Sequence, residues 1–201
     1  MNNAILNISK FILAAVFLPI AWASASEFHR HIMRALGAYS EFFFWGMFGF
    51  TLLYLFFYQF WGVYELGQKI TAGIFQFTSP ANRLMADIVP FYLTVIMLLF
   101  SITQNFLEVS ILDHYFMFFS GFAFTMHVVL TAQNLQEPES AFIKPTYLFS
   151  AMVVLPLVVC VTVLLFDLVQ LEFAFPEFAQ SVIGRSLDIY VEASRRLAFW
   201  N

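Results

Sequence analysis

The fold is decided by residues 87–134, which read DIVPFYLTVIMLLFSITQNFLEVSILDHYFMFFSGFAFTMHVVLTAQN. Two apolar segments in this stretch carry polar residues at seven-residue steps. They are Asp87, Thr94, Ser101 and Glu108 in the first segment, and Asp113, Ser120, His127 and Asn134 in the second. Because seven residues are close to two helical turns, each set follows one face of a helix and drifts by about 20° per step.

We call these eight residues the polar seam. If the two helices fold back on each other, the seam residues meet in four pairs. The pairs are Asp87 with Asn134, Thr94 with His127, Ser101 with Ser120, and Glu108 with Asp113. The spacing therefore predicts an antiparallel helical hairpin with polar contacts inside a membrane.

Composition indicates that lipid surrounds most of the chain. The protein has 201 residues, of which 61% are hydrophobic and 11% charged, with a mean hydropathy of +0.80. Soluble domains carry about 25% charged residues, so this chain has too much apolar surface to bury in its own core. A net charge of −4 argues against nucleic acid as a partner. The lone Cys160 excludes an intrachain disulfide and a cysteine-based metal site.

The predicted fold is an all-α integral membrane protein with about five transmembrane helices. Residues 1–170 form the transmembrane domain, and residues 171–201 form a C-terminal amphipathic helix. The expected spans are residues 5–25, 42–64, 87–108, 111–132 and 145–168. The third helix either begins at Pro80 and bends at Pro90 or begins afresh near Asp87. The expected location is a multi-pass position in a membrane, which in a bacterium would be the inner membrane.

Trp45, Trp61 and Tyr64 near the ends of the second span suit the headgroup level, where such rings are enriched. The segment 26–41 contains His29, His31 and two arginines. Because histidines two residues apart on a helix point in different directions, we interpret this segment as a solvated basic loop rather than a metal site.

The C-terminal segment has the pattern of an amphipathic helix. Charged and polar residues recur at steps of three and four on one side, and apolar residues such as Ile183 and Leu187 recur on the other. It is too charged to span alone, which predicts a position on the membrane surface or against a partner. Lysine and arginine divide five against four between the two sides of the five-span topology, which favours a cytoplasmic C-terminus only slightly.

His127 is the most informative single residue, because ionisable groups in a bilayer are costly and usually face protein or water. Three interpretations remain open. His127 serves as a haem ligand, as part of a proton or ion path along the polar seam, or as a neutral side chain that bonds two helices together. The hydroxyl and amide residues of the seam are also open to the last of these interpretations, since such side chains commonly join membrane helices.

The sequence contains none of the motifs HExxH, GxSxG, GxxxxGK[ST] or GxGxxG, which weighs against an enzyme. No cofactor or metal is predicted. The leading hypothesis is a non-catalytic subunit, with a scaffold or assembly role, in a multi-protein membrane complex. Its expected partners are the lipid bilayer and other membrane subunits. The alternative is a small transporter or a proton-coupled channel component that uses the polar seam.

Overall fold

The computed structural model describes residues 2–57, 59–78, 82–107, 112–136, 145–170 and 173–198. These residues are almost entirely helical, with no strand among them, so the all-α prediction is confirmed for the described part of the chain. The α-helices in chain order are α1 (Asn2–Leu36), α2 (Ser40–Phe57), α3 (Trp61–Ile74), α4 (Asn82–Ile88), α5 (Phe91–Ile102), α6 (Asp113–Leu135), α7 (Pro145–Gln170) and α8 (Phe175–Ala198). A π-helical segment, Thr103–Leu107, continues α5.

Three helical segments are long and apolar enough to cross a membrane. They are Ile5–Phe57, Asp113–Leu135 and Pro145–Gln170. The first of these contains both α1 and α2, joined by the short turn Gly37–Tyr39. The apolar helix Phe91–Asn105 is shorter. The helices predicted at 111–132 and 145–168 are thus confirmed as α6 and α7, with ends that differ by at most three residues.

The loop predicted at residues 26–41 is wrong, because α1 continues as a helix to Leu36. Its polar residues continue the helical spacing of three and four, and two of them, Glu27 and His31, are buried against other helices. The helix ends at Gly37, whose φ of 51° lies in the left-handed region that glycine adopts without a steric penalty.

The single span predicted at 42–64 is also wrong. The helix α2 ends at Phe57, and α3 begins at Trp61 with the Tyr64 amide donating to the Phe60 carbonyl at 3.1 Å. The side chain of Tyr64, expected as an interfacial anchor, is instead buried with Thr71 on the inner face of α3. The sequence is apolar on both sides of the break between α2 and α3, so hydropathy alone predicts one continuous helix.

The third predicted span is divided at Pro90. The chain forms α4, bends at Val89 and Pro90, and continues as α5. This arrangement agrees with the alternative in which the helix starts before Asp87 and bends at the proline. Residues 79–81, which include the predicted helix start at Pro80, lie outside the described residues.

The backbones of α2 and α6 come into direct contact at two glycines. A Cβ atom on Gly46 would lie 1.8 Å from the Phe118 carbonyl oxygen, and one on Gly121 would lie 1.9 Å from that of Phe43. No other residue fits at either position without separating the helices. The two helices run parallel, because Phe42 contacts His114 near the start of both and Tyr54 contacts Gln133 near their ends.

The direction of the remaining helices follows from their contacts. On α5 and α6, Phe100 meets Phe116 and Met97 meets Ser120, so this pair is antiparallel, as the predicted hairpin requires. The helices α1 and α7 are parallel, since Lys10 contacts Thr146 near the start of α7 and His31 contacts Asp167 near its end. We call the end of the bundle where α6 ends and α7 begins the lower end, and the opposite end the upper end.

The C-terminal amphipathic helix is confirmed as α8, and it packs lengthwise on α1. Two ion pairs and one hydrogen bond join the helices, and their order from the end of α1 towards its start is the order from the start of α8 towards its end. These pairs are Arg34 with Glu177, Glu27 with Arg185, and the Val16 carbonyl with the Tyr190 hydroxyl. The two helices are therefore antiparallel, and α8 descends from the upper end beside the apolar length of α1.

Candidate functional site

A buried polar cluster joins α3, α4 and α6 near the lower end of the bundle. We call it the Asp87 cluster, and it consists of Tyr64, Gln68, Asp87, His127, Thr131 and Asn134. The Asp87 carboxylate accepts hydrogen bonds from the Gln68 amide at 3.2 Å and from the Asn134 amide at 3.4 Å. Asp87 is only 6% exposed, so these contacts lie inside the protein.

Pro90 explains why this cluster forms where it does. Proline has no N–H group, so the carbonyl four residues earlier, that of Ala86, has no helical partner. The Gln68 amide donates to that carbonyl at 3.1 Å. The bend at Pro90 also leaves the Asp87 carbonyl available to His127, whose Nε2 lies 2.9 Å away. Because a carbonyl only accepts, Nε2 carries the hydrogen in this contact.

Tyr64 and Thr131 complete the cluster on the side of α3. Their hydroxyl oxygens are 2.9 Å apart, and the Gln68 amide donates to the Tyr64 oxygen. The Tyr64 hydroxyl therefore directs its own hydrogen to Thr131. Burial raises the pKa of Tyr64 to about 12, and the nearby Asp87 charge acts in the same direction. Tyr64 is accordingly a neutral donor at physiological pH.

A surface cleft reaches the Asp87 cluster from the lower end. The cleft is lined by Glu65, Gln68, Lys69, Ala72, Asn82 and Ala86. Gln68 and Ala86 also line the small buried pocket that contains His127. These two residues thus form the boundary between the open cleft and the cluster.

The polar seam is only partly assembled as predicted. The pair Asp87–Asn134 is present. Thr94 instead donates to the Pro90 carbonyl at 3.1 Å, while His127 bonds the Asp87 carbonyl, so the predicted pair of Thr94 with His127 is replaced by these bonds. Threonine commonly bonds the carbonyl one turn back in its own helix, which removes the need for a partner across the interface.

The upper half of the seam is displaced by one helical turn. Ser120 contacts the Met97 sulfur at 3.5 Å rather than Ser101, and Asp113 accepts from Gln104. Ser101 contacts Asn105 within its own helix. Glu108 lies outside the described residues. Heptad spacing defines the face of each helix but leaves the stagger between helices open, and packing at Met97, which is fully buried, decides it.

A second buried cluster, which the sequence did not predict, joins α1, α7 and α8 in the upper half of the bundle. We call it the Glu27 cluster, and it consists of Glu27, Arg30, His31, Asp167 and Arg185. The Glu27 carboxylate contacts Arg30 at 3.0 Å and Arg185 at 3.1 Å. The side chains of Glu27 and Asp167 are 8% and 9% exposed, whereas that of Arg30 is 60% exposed.

The second contact of this cluster lies one turn along α1. His31 Nε2 is 3.7 Å from the Asp167 carboxylate, which also accepts the Phe175 amide at the start of α8. Asp167 thereby satisfies a free N–H group in the first turn of α8, where a negative charge is favourable. The prediction that residues 26–41 are solvated is thus wrong for His31 and Glu27, and the exposed Arg30 and Arg34 are the residues that fit it.

A signal for the Glu27 cluster exists in the sequence, although it is local to α1. Ser24, Glu27 and His31 follow each other at helical steps of three and four, and all three are buried. That spacing would have extended the first helix beyond residue 25. The partner Arg185 lies 158 residues from Glu27 in the chain, so no local pattern indicates the contact.

In the part of the chain that the structure describes, histidine, cysteine and carboxylate side chains are not gathered into a metal site. No group of three or more histidine, cysteine, aspartate or glutamate residues lies close enough there to hold a metal ion. His127 has its Nε2 committed to the Asp87 carbonyl.

No family model matches the chain, and neither a curated protein nor a solved structure matches it. Its function must therefore be inferred from the two polar clusters and from the surface of α8.

Proposed function

We propose that this protein is a non-catalytic, multi-pass subunit of a multi-protein membrane complex. In this proposal α1, α2, α5, α6 and α7 cross the membrane. The observation that carries the proposal is the position of α8, whose outward face is charged although the helix lies beside the apolar length of α1.

The depth of α8 follows from its contacts with α1. Arg185 meets Glu27, and Tyr190 meets Val16, which is 11 residues or about 16 Å further down α1. Val16 lies within the apolar length that α1 shares with α7, between the Lys10–Thr146 and His31–Asp167 contacts. Residues 185–190 of α8 are thus at the depth that lipid chains would occupy.

Lipid is a poor neighbour for the outward face of α8. Asp188 lies within this part of α8 and Glu192 follows one turn later, and both are exposed. A charged side chain at the centre of a bilayer costs about 2.5–3.5 kcal/mol on insertion scales. Two such residues on one helix would make that position unfavourable unless protein covers them. A neighbouring subunit supplies this cover.

The proposal also gives an orientation. With α8 returning towards the lower end, four basic residues of the described part of the chain collect there, and among the same described residues Arg30 and Arg34 lie at the upper end. The four are Lys10, Lys69, Arg195 and Arg196. Because cytoplasmic segments carry the excess of lysine and arginine, the lower end faces the cytoplasm. The basic residues, which divide five to four when α8 lies on the membrane surface, thus divide four to two in favour of the lower end among the described residues.

The test is the composition of the purified protein. Extraction of the full chain from its native membrane in mild detergent, followed by native mass measurement, should give a stoichiometric assembly with at least one other membrane protein. The triple substitution Asp188→Leu, Glu192→Leu and Arg196→Leu should release that protein. Leu164→Ala and Leu168→Ala on the exposed face of α7 form the matched control and should leave the assembly intact. A monomer with no co-purifying protein would refute the proposal.

The second candidate function is proton-coupled transport. It is favoured by the cleft that Gln68 lines at the lower end. The cleft gives solvent at the lower end access to the boundary of the Asp87 cluster. Against it, the buried Met97, Leu93 and Phe124 occupy the interior around α5 and α6 beyond His127. The substitution His127→Ala in reconstituted vesicles separates the candidates. Loss of a pH-gradient-driven flux with assembly preserved supports transport, and an unchanged flux excludes a role for His127 in it.

A further inference from the structure

One face of α8 points away from the bundle and is uncovered. Gln180, Gly184, Leu187, Val191 and Ser194 follow each other at steps of four and three, which places them on one stripe. All five residues are exposed, and they point away from the buried Phe178 and Ser186 that face the bundle. A Cβ atom at Gly184 would have nothing within 4 Å, so a neighbour has free approach at the middle of this stripe.

Charges flank this stripe along one edge. Asp188 and Arg195 are seven residues apart, close to two turns, and so lie on the same edge about 10 Å from each other. The other charges of this half of α8 are already engaged, since Arg185 binds Glu27 and Arg196 binds Glu192 at 2.7 Å. Within the described residues, Asp188 and Arg195 have no ionic partner.

We propose that α8 binds a membrane-spanning helix of a partner subunit that carries a basic residue at the depth of Asp188 and an acidic residue about two turns nearer the lower end, opposite Arg195. This inference rests on the proposed function and names the chemistry of the partner. The depth of α8 places the partner within the membrane, where the spanning segment is a helix because its backbone hydrogen bonds must be satisfied internally. Charge complementarity then requires that the partner helix carry a base opposite Asp188 and an acid opposite Arg195.

A second copy of this chain satisfies these requirements less well. Two copies in the same membrane orientation pack their α8 helices in parallel, so the Asp188 edge of one faces the opposite edge of the other. That opposite edge contains Ile183 and Tyr190, which offer no base to Asp188. An antiparallel pair would need one copy inverted in the membrane, which the distribution of basic residues opposes.

The experiment uses a benzophenone amino acid at Leu187 in the full-length protein in its native membrane, with the same group at Leu164 as the control. Irradiation should join position 187 to a membrane-spanning segment of another protein that contains the acid and the base at the stated spacing. Asp188→Arg should lower the yield at least tenfold, and reversing the partner's base to an acid should restore it. A cysteine at Val182, which is half-buried, that remains slow to react with a maleimide shows that α8 stays docked in each variant.

The outcomes separate the two proposals. An intact multi-protein assembly with position 187 joined to lipid, to a soluble protein, to a second copy, or to a helix without these charges overturns this inference and leaves the proposed function standing. A yield that is unchanged by Asp188→Arg also overturns it. A monomeric protein with no crosslinked partner overturns both.

Discussion

The Asp87 cluster and the Glu27 cluster are both buried, yet they hold their helices by different means. In the Asp87 cluster neutral groups make the contacts around the Asp87 carboxylate, which accepts from two side-chain amides, and hydroxyls, an imidazole and backbone carbonyls of α3, α4 and α6 complete them. In the Glu27 cluster a carboxylate and a guanidinium from α1 and α8 meet directly. The difference follows from what each cluster attaches. Short helices of mixed polarity need only hydrogen bonds, whereas α8 is charged and must be held beside an apolar helix by charge.

The comparison therefore makes the Glu27–Arg185 ion pair the main buried charge contact of α8, beside the contacts that Phe175, Glu177 and Tyr190 make. Glu27 is the centre of that contact, because its carboxylate binds Arg30 from α1 and Arg185 from α8. Breaking the Glu27 cluster should release α8 without disturbing the other helices. Breaking the Asp87 cluster should instead loosen α3 and α4 and leave α8 in place.

The largest effect is expected for Glu27→Ala. Removing one partner of a buried ion pair costs about 3–5 kcal/mol, and the lower end applies here because the Arg185 side chain is 32% exposed. The free energy of unfolding in mixed micelles should fall by about 3 kcal/mol. A cysteine at Val182, which is half-buried, should react faster with a maleimide as α8 leaves α1.

The control for this substitution is Arg30→Ala. Its contact with Glu27 is 3.0 Å long against 3.1 Å for Arg185, but the Arg30 side chain is 60% exposed, so the expected loss is below about 1 kcal/mol. Equal losses for the two variants would mean that apolar contacts such as that of Phe178, and not the ion pair, hold α8.

How far the sequence predicts this fold depends on whether helix ends carry a local signal. The bounds of α6 and α7 agree with the predicted spans within three residues, because each helix is a single apolar segment. The continuation of α1 through residues 26–36 was not, since charged residues after an apolar run resemble a loop. The separation of α2 from α3 was missed because both are apolar around the break.

The candidate site was predictable where its contacts depend on helix faces alone. The seven-residue spacing places Asp87 and Asn134 on the facing sides of their two helices, and the structure brings these two side chains together. The stagger at Ser120 and Met97 was not predictable, because it depends on how the core packs along the helix axis. The Glu27–Arg185 contact joins the first helix to the last, and no spacing within either helix encodes that juxtaposition.

An intermediate effect is expected from pH, and it is confined to the Asp87 cluster. The pKa of Tyr64 is about 12 in the folded protein against an ordinary value of 10.0. Below pH 10 the phenol is protonated in both states. Between pH 10 and 12 the unfolded chain loses this proton while the folded protein retains it, so stability decreases as pH rises, by roughly 2–3 kcal/mol for this shift.

The measurement compares unfolding at pH 9 and pH 11.5 for the wild type and for Tyr64→Phe. The variant should lack the part of the decrease that belongs to Tyr64, with Tyr115→Phe, on an exposed residue, as the control. If Tyr64→Phe and Tyr115→Phe follow the wild-type profile equally, the buried phenol does not provide this pH dependence. The maleimide reactivity of the Val182 cysteine should not follow the Tyr64 titration, because α8 is held by the other cluster.

The smallest effect is expected for Ser120→Ala, which tests the part of the polar seam that joins neither cluster. Ser120 is fully buried, and its contact with the Met97 sulfur at 3.5 Å is weak because a thioether is a poor acceptor. Hydrogen bonds between membrane helices average about 0.6 kcal/mol, so the loss should be at or below that value. The measurement compares the free energy of unfolding of Ser120→Ala with that of Thr131→Val. In the wild type the Thr131 hydroxyl accepts from Tyr64. A loss at Ser120 larger than at Thr131 would mean that the seam between α5 and α6 contributes more than the Asp87 cluster, and that the division of the bundle into two polar clusters is incomplete.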